Sequence, residues 1–186
     1  MHNRKRLVCP VACAGSLDNR IRRWLQDPQK ILAPYVKEGM KVLDLGCGPG
    51  FFTLTLARMV GETGKVFAAD LQDEMLQKVK NRIQGTGFES RIILHRSESG
   101  SMGISERVDF VLLFYMVHEV SDKERLFNQI FSIVQPDGQV LMVEPPFFHV
   151  SRKTFKEEIA FAQEAGFTVA GRPNIFFSKS VVFRKG

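Results

Sequence analysis

The run Val42-Leu43-Asp44-Leu45-Gly46-Cys47-Gly48-Pro49-Gly50 carries the most readable chemistry in this chain. An apolar strand feeds into three alternating glycines, and a carboxylate stands two residues before the first of them. Glycines at such a turn take positive φ and have no Cβ, so backbone can approach a ligand closely where a strand hands over to a helix. Asp44 says what kind of ligand. A carboxylate at this place repels a pyrophosphate and attracts a molecule that carries positive charge.

Two common glycine-rich readings fail on the letters. A dinucleotide fingerprint starting at Gly46 needs glycine at position 51, where the chain has Phe51, and the Gly-Lys-Ser/Thr of a phosphate loop occurs nowhere. A cationic nucleoside remains, and S-adenosylmethionine (SAM) carries both an ammonium and a sulfonium. The bland alternative is a structural turn with no ligand; isolated glycines are common at turns, whereas a D-x-G-x-G-x-G run is not.

With the segments that follow, the chain resembles the class I SAM-dependent methyltransferases, and among them the small enzymes related to ubiquinone/menaquinone biosynthesis. The resemblance covers roughly residues 28–186. It rests on the glycine run first, then in order on Val66-Phe67-Ala68-Ala69-Asp70, Glu98, Val108-Asp109-Phe110-Val111, Met116-Val117-His118-Glu119-Val120 and Gln135-Pro136-Asp137-Gly138. The later segments are individually weak; their order and spacing give them force.

The resemblance implies roles for particular residues. Gly46, Gly48 and Gly50 would face SAM with their backbone, Cys47 and Phe114 would lie beside it, and Asp44 would serve its methionine end. Asp70 would accept from both ribose hydroxyls, which suits the two oxygens of a carboxylate. Leu71 would pack on adenine, and Glu98 would accept from the adenine amino group, although the family's usual residue there is Asp. Methyl transfer from a sulfonium is an in-line displacement with a neutral leaving group, so the protein has mainly to align and, where needed, deprotonate the acceptor. Tyr115, His118 and Glu119 follow the fourth strand, where the family places substrate-facing residues, and Glu144 and His149 follow the fifth. A base could come from either group.

Glu144-Pro145-Pro146-Phe147 looks like the Asn/Asp-Pro-Pro-Tyr/Phe motif by which some nucleic-acid methyltransferases hold an exocyclic amine. That motif follows strand four, which here ends in Phe114-Tyr115-Met116-Val117, so the prolines are read as ending strand five. Phe51, Phe52, Tyr115, Phe147 and Phe148 fall near the expected mouth, which points to a small or medium-sized, partly apolar acceptor. Two other functions stay open: methylation of RNA, and SAM binding without catalysis as a regulatory module.

The elements that must position these residues follow from periodicity and punctuation. Asp27-Pro28 reads as an N-cap with proline in the first helical turn, opening a helix over 28–36. Strands are expected at 41–45, 65–70, 91–95, 108–115 and 139–144, with helices over 51–60 and 73–83 between them. The polar stretch 97–107 leaves little room for a helix between strands three and four. Ser121-x-x-Glu124 reads as a capping box for a helix that turns Leu126, Phe127, Ile130, Phe131 and Val134 inward. Pro136-Asp137-Gly138 turns the chain into strand five. Ser151 caps a last helix with Phe155, Ile159 and Ala162 inward and Gly166 as its stop. Strands at 167–170 and 178–184 finish the chain. This is an α/β fold: a doubly wound, mostly parallel seven-stranded sheet with a C-terminal antiparallel hairpin and its ligand at the carboxyl ends of the strands.

A chain of 186 residues is long enough for one domain around one core. No apolar run approaches the roughly 20 residues of a membrane span. The first residues, basic and then apolar to about Gly15, superficially resemble an export signal, but the apolar part is short and broken by Pro10. Three cysteines, Cys9, Cys13 and Cys47, make no disulfide framework, and a reducing cytoplasm fits best. Cys9 and Cys13 as soft-metal ligands lack further ligands nearby, so no metal is expected. Of the formal charge of +6, residues 1–23 hold +5, from Arg4, Lys5, Arg6, Arg20, Arg22 and Arg23 against Asp18. Residues 1–27 therefore read as a basic arm that either covers the active site or is plain solvated charge, and 28–186 as the catalytic domain.

Overall fold

The computed structural model describes residues 25–146 and 150–186. Helix α1 (Pro28–Leu32) starts where expected, with the Asp27 carboxylate accepting from the backbone N–H groups of Gln29 and Lys30. It ends earlier than the sequence suggests, at the Ala33 C-cap. The sheet then builds through β1 (Lys41–Leu45), β2 (Lys65–Asp70), β3 (Ile92–Arg96), β4 (Val108–Phe114) and β5 (Val134–Glu144), with α2 (Thr53–Met59), α3 (Asp73–Ile83) and α4 (Lys123–Ile133) between them. Helix α5 (Arg152–Glu164) leads to the hairpin β6 (Phe167–Gly171) and β7 (Lys179–Lys185).

Strand order is β3-β2-β1-β4-β5-β7-β6, parallel through β5 and antiparallel for the last two pairs. The winding reverses between β1 and β4, and a crevice opens at their carboxyl ends, as in other doubly wound sheets. Both faces of the sheet are buried because successive side chains alternate. Val42, Val66, Ala68, Phe110, Leu112, Leu141 and Val143 pack toward α1, α2 and α3. Leu43, Leu45, Phe67, Val111, Leu113, Val140 and Met142 pack toward α4 and α5. By the same alternation Asp44 lies on the first face and Glu144 on the second.

Several boundaries differ from the sequence reading, each for a local reason. Strand four stops at Phe114, because Tyr115 takes φ of 60° and breaks the extended run. Asp122 rather than Ser121 caps α4, its carboxylate accepting from Arg125 N–H at 2.9 Å. Ile133 is buried on that helix and Phe131 only half-buried, where it packs edge-on against Phe167. The segment at Pro136-Asp137-Gly138 is an irregularity within β5, which begins at Val134; Asp137 takes φ of 61° and the register against β4 shifts there. No helix lies between β3 and β4. Among the described residues no helix is long and apolar enough to cross a membrane.

Candidate active site

The glycine turn is stitched to its neighbours by backbone. Gly46 and Cys47 both donate to the Ala69 carbonyl, at 2.8 and 3.0 Å, and Arg82 from α3 donates to the Pro49 carbonyl at 2.9 Å. The glycines do different jobs. A Cβ on Gly46 would stand 2.9 Å from Met116 Cβ, so this position lets the loop after β4 close over the turn. At Gly48, with φ of 52°, a Cβ would meet nothing within 4 Å: this backbone borders open space, where a ligand can come against it. Gly50 packs on Val79.

Asp44, 3% exposed, accepts a 2.7 Å hydrogen bond from the Thr53 hydroxyl at the start of α2. Burial pushes its carboxyl up to about 7; the Thr53 hydrogen bond pulls down and the Asp70 charge pushes further up. A buried acid with one neutral partner suits a positively charged group arriving from the cleft. Asp70, ending β2, accepts from Gly48 N–H and Gln72 N–H, both at 2.9 Å, one on each carboxylate oxygen. Each oxygen keeps a second lone pair for a further donor. Burial raises this carboxyl too, and its backbone hydrogen bonds work against that. Leu71, next along, leaves 45% of its surface exposed at the rim, an apolar face ready to be covered. Glu98 is exposed on the same rim, its backbone paired with Ser101. These residues, with Cys47, Phe114 and Met75, line one cleft of about 800 Å³.

The same cleft is lined also by Phe52, Tyr115, Met116, His118, Glu119 and Pro145. A 3-10 turn (Val117–Glu119) presents His118 there. Its Nδ1 sits 2.5 Å from Glu144 Oε2, and the other oxygen of Glu144 accepts from Val117 N–H at 2.9 Å. Glu144 is fully buried. Burial opposes charge on His118, but the hydrogen bond and charge of Glu144, with Glu119 adding, hold its imidazole above the ordinary value. Glu119 lies 3.9 Å from His118 Nε2. The Tyr115 hydroxyl is engaged with Gln26 Nε2 and Ser178 Oγ, each at 2.6 Å, and so ties the segment before α1 and the β6–β7 hairpin to the mouth. Phe114 packs between Phe52 and Tyr115 at centroid distances of 4.4 and 4.5 Å.

Sequence reasoning missed Thr53, Gln26 and Ser178, which are single polar letters in unremarkable contexts, and treated Glu144 and His118 as separate candidates. The Ser/Thr in the first turn after the glycine run was the one available signal for Thr53. Phe147, Phe148, His149, Trp24, Cys9 and Cys13 lie outside the described residues. Among the described residues no group of His, Cys, Asp and Glu is placed to hold a metal.

Residues 36–168 match the protein family described as "Methyltransferase domain". The chain belongs to the class I SAM-dependent methyltransferase family. The methyltransferase is 29% identical over 123 residues to a ubiquinone/menaquinone biosynthesis C-methyltransferase of Cronobacter sakazakii, an alignment that takes 64% of the chain and 49% of that relative. It thus spans about half the length of the curated relatives it matches. A SAM-dependent methyltransferase from Aquifex aeolicus superposes with a TM-score of 0.87 at 26% identity, covering 96% of the chain and all of that structure. A [4+2]-cyclase shares the fold alone, with a TM-score of 0.71 at 13% identity, over 84% of the chain and 80% of its own. The fold therefore hosts more than one chemistry. The family match and the likeness to the Aquifex aeolicus structure are those of SAM-dependent methyltransferases. The open space at Gly48 and the buried, lone carboxyl of Asp44 fit a cationic nucleoside on this methyltransferase.

Proposed function

We propose that the enzyme methylates a small or medium-sized, partly apolar acceptor, with His118 as the base that takes the acceptor's proton and Glu144 as its partner. SAM supplies a methyl group on a sulfonium, which leaves as a neutral thioether. Asp44 balances the ammonium of the methionine end, Gly46 to Gly50 shape the turn around it, and Asp70 takes the ribose hydroxyls. Leu71 covers one face of adenine, and Glu98 accepts from its amino group. The observation that carries the reading is the 2.5 Å contact between His118 Nδ1 and a fully buried Glu144. With Nδ1–H donating to that carboxylate, the lone pair of the ring lies on Nε2, and the imidazolium that forms is stabilised where it stands.

An apolar acceptor is supported by Phe52, Phe114, Met116 and Pro145 around the same cleft. The names of the curated relatives, C-methyltransferases, favour carbon as the methylated atom. The carboxylates of Glu119, Asp122 and Glu144 at or behind this cleft argue against a polyphosphate strand as acceptor, whatever the charge of the N-terminal arm. Residues 1–24 of that arm lie outside the described residues; a role for the arm in shielding the transferring methyl from water is supported by the bond from Gln26 to the Tyr115 hydroxyl. The reading sets the enzyme in a reducing cytoplasm, where the buried Cys47 remains a free thiol.

The test is transfer of a labelled methyl group from SAM across a panel of phenols, hydroquinones and enolisable carbon acids, with RNA as a separate arm. Turnover on an apolar acceptor that is lost in His118→Ala is expected. Turnover confined to RNA, weakening steeply with salt, overturns the acceptor class.

A further inference from the structure

Helix α5 buries one stripe, Phe155, Glu158, Ile159 and Ala162, and one of these four is an acid. Glu158 is fully buried, and neither of its carboxylate oxygens has a hydrogen-bond partner among the described residues. Its nearest cation is Lys123 of α4, whose Nζ lies 4.0 Å from Oε1 while donating to the Val120 carbonyl at 2.8 Å. A carboxylate buried with so loose a partner is costly, and leucine or glutamine would fill the place more cheaply. Its surroundings give it a use. It stands on the sheet face that also holds Glu144, within electrostatic reach of His118 and Glu144. The charged groups gathered there are His118 and Glu119 from the 3-10 turn, Glu144 from β5, Lys123 from α4, and Glu157 beside Glu158 on α5. Lys179 of β7 pairs in register with Glu144 but directs its ammonium to the Val150 carbonyl.

We infer that Glu158, braced by Lys123, is a positioning residue of the proton site: from the same sheet face as Glu144 its carboxyl sets how readily His118 takes and gives up a proton. Glu158 touches neither acceptor nor SAM and acts through the His118–Glu144 pair. When it is ionised, a second negative charge faces the imidazole and favours the protonated ring; when it is neutral, that support is withdrawn. Burial, with Glu144 adding and Lys123 opposing, pushes Glu158 up to about 7, so its charge changes over the range in which a histidine exchanges its proton. His118 and Glu158 are then coupled in their titration. The use of this coupling in turnover rests on the methyltransferase reading, but the coupling itself is measurable without any acceptor.

The experiment follows the ring resonances of His118 by NMR on the full chain as pH is varied, assigned by the signal that His118→Ala removes. Glu158→Gln should move the His118 midpoint down by about half to two pH units. Glu158→Asp, which keeps the charge, should restore most of the difference, and Glu164→Gln, exposed on the same helix, should change nothing. With an acceptor in hand, the acidic limb of kcat against pH should move to lower pH in Glu158→Gln while KM for SAM holds. A His118 midpoint that is the same in the parent and in Glu158→Gln overturns the inference; so does a midpoint that Glu164→Gln moves as far. If His118 titrates as expected but no acceptor is ever methylated, the coupling stands and the proposed acceptor chemistry falls.

Discussion

Burial pushes two acids on opposite faces of one sheet up to about 7, and they are held in different ways. Asp44, on the face covered by α1 to α3, has a hydroxyl partner, opens to the cleft beside Gly48, and has no cation paired with it among the described residues. Glu158, on the face covered by α4 and α5, has a lysine 4.0 Å away and does not line the cleft. Burial is the largest cause at both. What separates them is where the neutralising charge comes from. On the proposed reading, the Asp44 side of the cleft leaves its acid for a ligand to balance, whereas the His118 side supplies its own cation and spends its acids on a histidine.

That contrast is broken most directly at Asp44. Asp44→Asn should cost about 3–5 kcal/mol of SAM binding, because the ligand's ammonium loses its buried counter-charge, as a calorimetric titration will read. The same change should stabilise the ligand-free protein. A carboxyl raised in the folded state contributes stability that is fully present below its unfolded value of 3.8 and is lost as pH rises through about 7. Asparagine has no such loss, so at pH 8 the variant should resist denaturant by about 2–4 kcal/mol more than the parent. A variant that binds SAM normally, or that is weaker than the parent at pH 8, would remove Asp44 from the comparison.

The acceptor end should respond in rate and not in cofactor affinity. His118→Ala is expected to lower kcat by about 10² to 10⁴ with SAM affinity unchanged, the pattern of a lost base. Steady-state kinetics on the best acceptor and a separate SAM titration distinguish this from a binding defect. A smaller effect sharpens the cofactor side. Asp70→Ala removes a charged acceptor for two ribose hydroxyls and should cost about 2–4 kcal/mol of SAM binding, and it also frees the Gly48 N–H that Asp70 now holds. Equal affinity in the two proteins would put the ribose elsewhere.

The cofactor end was legible in the letters because its chemistry is local. Asp44, the glycines and Asp70 are placed by two short strands and one turn, and apolar runs mark those strands almost to the residue. The acceptor end was legible only as a set of candidates. Nothing in the letters links His118 to Glu144, 26 residues on, because their contact depends on β4 lying beside β5 and on a 3-10 turn folding the loop back. Glu158 stands in the charged run Lys156-Glu157-Glu158 and reads as solvent-facing; only packing of α5 against the sheet buries it. Tyr115 stands in the letters only as one of three candidates after strand four, and its hydroxyl is shared between Gln26 and Ser178, from opposite ends of the chain. Asp122 and Ser121 are both good caps by type, and the helix start alone chose between them.

The central claim is that Asp44 is an acid kept for the cation of the cofactor, and proton release on binding tests it most directly. SAM is titrated calorimetrically into the full chain at pH 6, in two buffers of different ionisation enthalpy. At that pH an α-ammonium is already protonated, while an acid titrating at about 7 still holds most of its proton. Binding should therefore expel about one proton from the parent and almost none from Asp44→Asn, and NAD should produce no binding heat. Tight SAM binding without proton release from the parent, or the same release from both proteins, would contradict the account.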